Sequence, residues 1–251
     1  MATSPRPPSD RVAGHRFDQV EAWVLHTLPF RETSLLVDAF TAAHGRISLA
    51  ARGARRPASA LRGMLLPFQK VSLSWYGRGE VKTLHGAEWL SLAAGLGGRA
   101  LICGFYLNEL LTRLLPREDP HPTLYAAYES ALTQLPHAPC VDAVLRPFEL
   151  ALLADLGYGL DLGHEAGGQM PVVADADYSY LPERGLVRSG PRGGEGRGVL
   201  VTGTTLLAMQ IGDYADVATR REALRLLRGA LGHYLGERPL LSREMLAPFQ
   251  D

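Results

Sequence analysis

The chain has 251 residues, 46% apolar and 21% charged, with 26 Lys+Arg against 26 Asp+Glu and no formal net charge. This is the composition of a globular chain long enough for two domains. The two cysteines, Cys103 and Cys140, exclude a disulfide framework and a four-cysteine metal site, and no run approaches the roughly 20 apolar residues of a membrane span.

The balanced total hides an asymmetry. Residues 1–79 carry 11 Lys+Arg against 5 Asp+Glu, and residues 80–251 carry 15 against 21, so a basic module precedes an acidic one. Within 39–79, Arg46, Arg52, Arg55, Arg56, Arg62, Lys70 and Arg78 occur without one acidic residue. Such a run points to a polyanionic partner, nucleic acid first, with a merely solvated basic face as the plain alternative. The Pro- and Ser-rich residues 1–15 read as a disordered lead-in. They lack the apolar run of a signal peptide, which sets the expectation of a cytoplasmic, nucleoid-associated protein without membrane contact.

Between 16 and 90 the apolar residues come in short alternating runs, QVEAWVLHTLPF, SLLVDAFT, GRISLAA, FQKVSLSWYG and VKTLHGAEWL, separated by turn residues. Five short strands without an intervening helix-length segment predict a small antiparallel barrel. The connection 51–67 is the longest and holds the densest basic cluster. From 91 to 251 the period becomes helical. GGRALICGFYLNELLTRLLP, HPTLYAAYESALTQLP and VDAVLRPFELALLADLGYG predict three packed helices, with Pro147 either opening the main run of the third or kinking it. Residues 163–198, with nine glycines, read as a long irregular insertion. Helix resumes in TTLLAMQIGDYA and TRREALRLLRGALGHYL. The latter would turn Leu224, Leu227, Leu231 and Leu235 inward and Arg220, Arg221, Arg225 and Arg228 outward as a second basic surface, although such an arginine face is more often simply solvated. The fold class is therefore α+β, a five-stranded barrel followed by an all-helical domain.

A small barrel with arginine-bearing loops suits single-stranded nucleic acid, because arginines neutralise phosphates and planar groups stack on unpaired bases. Arg46, Arg52, Arg55, Arg56, Arg62 and Lys70 are the candidate DNA contacts, and Trp75, Tyr76 and His85 the candidate stacking groups, unless those rings serve the core. No G-x-S-x-G, H-E-x-x-H or phosphate-loop motif is present, and the eight histidines are scattered. The reading is a non-enzyme without cofactor or metal. A hydrolase with an unrecognised site would need turnover that a point mutation abolishes.

The order of AWVLHTLPFRETSLLVDAFT, HGRISLAARGARRP, LRGMLLPF, YLNELLTRLLP, FELALLADLGY and LLSREML along nearly the whole chain resembles the RecO family of bacterial recombination mediators. The resemblance implies an amino-terminal OB-fold, a central helical domain and a role in the RecF pathway of DNA repair. It further implies binding of single- and double-stranded DNA, annealing of complementary strands, and loading of recombinase together with RecR on DNA covered by single-strand binding protein. The carboxy-terminal tail of that last protein, acidic and apolar, needs a greasy pocket rimmed by cations. Arg113, Arg117 and Arg146, close to Leu110, Leu114 and Phe148, are the expected rim. Many members carry two C-x-x-C pairs after the G-Y segment; here the first pair falls on Glu165 and Gly168 and the second near Arg188 and Pro191, so the ligands for zinc are absent. Without that staple the insertion is expected to be more mobile. The alternative of a different class is a protein-only adaptor whose basic face meets an acidic partner.

Overall fold

The computed structural model describes residues 16–168, 170–182, 184–189, 198–236 and 238–246. The lead-in 1–15 and residues 190–197 of the GPRGGEGRG tract, Pro191 among them, lie outside them. Two units emerge. The first comprises 16–39 and 47–91; the second comprises 92–246 together with 40–46.

In the first unit, β1 (Arg16–Phe30), β2 (Ser34–Thr41), β3 (Gly45–Ala51), β4 (Gln69–Tyr76) and β5 (Val81–Leu92) form a closed barrel in the order β1-β2-β3-β5-β4, with the short helix α1 (Leu61–Met64) between β3 and β4. Alternation sets the inside. Ala22 and Val24, Val37 and Ala39, Ile47, Leu49 and Ala51, and Val71, Leu73 and Trp75 occupy every second position and are fully buried. Each large apolar side chain so buried contributes about 1.5–3 kcal/mol. β1 and β4 run antiparallel with Trp23 opposite Lys70, and their register shifts between Phe17 and Val20. There Gln19 takes a left-handed φ of 54° and donates its backbone N–H to Ser74 Oγ at 3.0 Å. One closure departs from the antiparallel expectation: β3 pairs with β5 in parallel, Ser48 beside Val81. The connection through 52–80 carries the chain back across the barrel, and that long-range pairing leaves no mark on strand periodicity.

In the second unit, α2 (Gly98–Leu114), α3 (Pro122–Gln134) and α4 (Asp142–Asp155) are the three predicted helices. α4 runs through Pro147 unbroken, with the proline on its exposed side. The 163–198 segment is irregular over most of its described length, yet it contributes β6 (Asp177–Leu181) and β7 (Gly185–Arg188), which join β8 (Val199–Thr202) in a sheet ordered β7-β6-β8. The helices α5 (Gly203–Gln210), α6 (Val217–Leu235) and α7 (Leu241–Leu246) follow. Side chains fix their starts: Thr202 accepts from the Thr205 N–H, and Asp216 from the Thr219 N–H at 2.8 Å. The N-terminus of α7 is capped from another helix, with the Glu109 carboxylate accepting from the N–H groups of Leu241 and Ser242 at 3.0 and 2.9 Å. The buried stripe of α6 is Ala223, Leu226, Leu227, Ala230 and Leu231. Leu224, expected in that stripe, is only partly buried.

The excursion after α4 is held by backbone hydrogen bonds. Val172 N–H donates to Gly163 O at 2.8 Å, Glu165 N–H to Met170 O at 2.8 Å, and Ala166 N–H to Leu186 O at 2.6 Å. Beside it, the rings of Tyr158 and Tyr234 stack 3.9 Å apart. Among the described residues no group of three or more His, Cys, Asp or Glu is arranged to hold a metal ion, and no helix is long and apolar enough to cross a membrane.

Candidate nucleic-acid interface

The basic loop leaves β3 at Ala51 and is built from successive tight turns. Arg56 N–H donates to Gly53 O at 3.1 Å, Ser59 N–H to Arg56 O at 3.0 Å and Arg62 N–H to Ser59 O at 3.2 Å. Gly53 takes φ +71°, a backbone that favours glycine, while the Ala54 methyl is fully buried in the barrel core. With Ala54 turned inward, its neighbours Arg52, Arg55 and Arg56 are exposed, as is Arg62 on α1. None of Arg52, Arg56 and Arg62 is ion-paired among the described residues. Arg55 ties the loop to the β1–β2 turn: its N–H donates to Thr33 O at 2.9 Å and its guanidinium to Glu32 O at 3.2 Å. That bond uses a neutral carbonyl and leaves the positive charge uncompensated.

The other two predicted DNA contacts have different surroundings. Lys70 is paired with Glu21 at 3.0 Å, and its ammonium sits 6.0 Å from the Trp23 ring centroid. Arg46 belongs to the second unit, where its Nε and Nη2 donate to Leu115 O at 3.3 and 3.0 Å, satisfying a carbonyl at the end of α2. Gly45 beside it has φ +62°, and a Cβ there would lie 1.8 Å from Asp119 O, so only glycine fits. Of the stacking candidates, Trp75 is fully buried against Phe17, with ring centroids 5.0 Å apart. Tyr76 and His85 are exposed and meet edge to face at 6.3 Å.

The helical unit holds a second basic feature. A cleft of about 320 Å³ is walled by α2, α4, α6 and α7, with Leu145, Leu224 and Leu246 as apolar lining and Arg99, Arg221 and Arg228 exposed at its edge. Arg146 lies in its wall, buried between Asp142 (Nε, 3.2 Å) and Glu149 (Nη1, 2.7 Å), and Tyr106 donates its hydroxyl to the other Glu149 oxygen at 2.5 Å. Burial pushes the Glu149 carboxyl up, against the opposing pull of Arg146 and the Tyr106 hydroxyl. Burial also opposes the charge on Arg146, but Glu149, Tyr106, Asp142 and Tyr214 together outweigh it and keep the guanidinium charged. The expected rim is thus not gathered at one place. Arg113 donates to Leu235 O at 2.8 Å and Pro239 O at 3.0 Å, Arg117 pairs through its backbone with Arg46, and Phe148 is core; only Arg146 lines this cleft. The residues that do edge it come from helices far apart in sequence. The arginine spacing in α6 is the one signal that could have found them.

Residues 17–93 match the family model described as Recombination protein O N terminal, and residues 97–244 that described as Recombination protein O C terminal. The DNA repair protein RecO of Azoarcus sp. (strain BH72) is 49% identical over 232 residues, covering 92% of this chain and 96% of the relative. That of Aromatoleum aromaticum is 49% identical over 237 residues, covering 94% and 98%, and that of Burkholderia pseudomallei 43% identical over 250 residues, covering 100% and 90%. With an OB-type barrel and a helical unit each matched along its length, the chain belongs to the RecO family of DNA repair proteins.

Proposed function

We propose that this chain is a DNA-binding recombination mediator that binds single strands on its barrel, anneals complementary strands, and helps to load recombinase with RecR. The observation that carries the reading is the loop whose exposed Arg52, Arg55, Arg56 and Arg62 form no ion pair among the described residues, on a barrel of the type that binds oligonucleotides. Annealing needs no reactive side chain. Neutralising phosphates on two strands lowers their repulsion, and bases left exposed can pair once the strands meet. Arg46 and Lys70 are retained as proposed DNA contacts, each keeping the partner it has within its own unit.

For the tail of single-strand binding protein, the cleft of the helical unit supports a site that Arg146 lines from within, with Phe148 in the core behind it, and that Arg221 and Arg228 steer from its edge. Arg113 and Arg117 would act on tail binding through the chain segments they hold. An apolar lining with a cationic edge matches an acidic, apolar peptide. The experiment is binding of a labelled oligonucleotide by the isolated protein across a salt series. Binding that weakens with salt supports the mediator; no binding at low salt leaves the protein-only adaptor.

A further inference from the structure

The β1–β2 turn, 31–33, stands outside the basic run of the sequence, yet it is stitched to the basic loop. Besides the bonds from Arg55 to Thr33 O and Glu32 O, Arg55 Nη1 lies 3.4 Å from Arg31 O. Arg31 itself is exposed and holds a left-handed φ of 53°, a conformation that a side chain bearing Cβ adopts only when its surroundings impose it. Its guanidinium carbon sits 5.2 Å from the centroid of the half-buried Phe30 ring. An exposed guanidinium held near an aromatic ring by cation–π attraction is a planar cation able to stack on a further ring.

We propose that Arg31, carried on Phe30, is a stacking contact for an unpaired base of single-stranded nucleic acid at the border of the 52–62 loop. The inference rests on the reading of that loop as the DNA surface and adds to it a contact of a different kind. A duplex hides its base faces, so this contact favours single strands, whereas the loop arginines meet phosphates of either form. Glu32, exposed in the same turn, carries the only carboxylate of 31–33 and disfavours a phosphate directly over it.

The test uses the full chain, a labelled oligothymidylate and a duplex of equal length, with R31K and R31G. Glycine accepts φ 53° freely, so R31G removes the side chain without straining the turn. R31K keeps the charge but not the plane: single-strand affinity should fall about fivefold or more, from about 1 kcal/mol per stacked base, with salt slope and duplex affinity retained. R31G removes the charge as well as the plane and should lose at least as much single-strand affinity. Parental single-strand affinity in R31K, or an equal loss on duplex, overturns the stacking contact. A parental salt slope in R52A/R55A/R56A withdraws the underlying DNA surface instead, whatever Arg31 does.

Discussion

Replacing Arg52, Arg55 and Arg56 together by alanine removes three exposed guanidinium groups while leaving the turn framework of the loop, which is made of backbone hydrogen bonds and the buried Ala54 methyl. Each phosphate contact contributes about 0.7 to the slope of log affinity against log salt for single strands, so three contacts shallow it by about 2. Between about 50 and 200 mM salt the parent should then lose about 18-fold more affinity than the variant. The loss should be nearly the same for all sequences, because phosphates carry no base identity. Arg55 needs its own control, since its side chain also bonds to Glu32 O; R55K retains a donor and a charge and should stay near the parent. Fluorescence anisotropy with labelled oligonucleotides over a salt series gives the slope directly. An unchanged slope in the triple variant refutes the assignment of this loop to DNA, and a loss confined to one sequence refutes the phosphate mechanism.

Charge reversal at Arg146 should read stability rather than docking: R146E places a second carboxylate against buried Glu149, and loss of one partner of a buried pair costs about 3–5 kcal/mol, visible as a large drop in urea midpoint. R221E/R228E, at exposed positions, should leave the melting temperature alone, weaken an acidic apolar tail peptide and spare oligonucleotide binding to the barrel; unchanged peptide affinity removes the cleft from the docking account. Purified protein should contain no stoichiometric zinc, and chelators should not shift its melting temperature, since Glu165 and Gly168 stand where the first ligand pair would be; near-equimolar zinc by elemental analysis contradicts this. Burial pushes the Cys103 thiol up to about 11, whereas Cys140 is partly exposed in the cleft wall; a thiol reagent at neutral pH should titrate one cysteine in the native protein and two in denaturant, and two fast native thiols would contradict the packing of α2.

The barrel was legible because its strands carry short apolar runs at alternate positions, most regularly in β4, where Val71, Leu73 and Trp75 are fully buried and Lys70, Ser72 and Ser74 only partly so. Its parallel β3–β5 closure was not, since pairing between distant strands has no local signature. β6 was missed because its alternation, Asp177-Tyr178-Ser179-Tyr180, is only a few residues long and lies in a glycine-rich segment. At the site, the sequence located the loop arginines by their clustering. It could not separate an arginine facing water from one that closes a helix end. Arg46 reaches Leu115 O across 69 residues and Arg113 reaches Leu235 O across 122, and nothing local marks either. Arg31 escaped notice because its neighbour in the basic run is remote in sequence and close only through the turn bonds of Arg55.

The central claim is that DNA lies on the barrel's basic loop, and photo-crosslinking of a substituted oligonucleotide to the full chain, read out by mass spectrometry of the peptides, tests it most directly. The account predicts crosslinks concentrated in 31–33 and 52–62, lost at high salt and competed away by unlabelled single strands. Crosslinks confined to the helical unit, with none in those two segments, would contradict it.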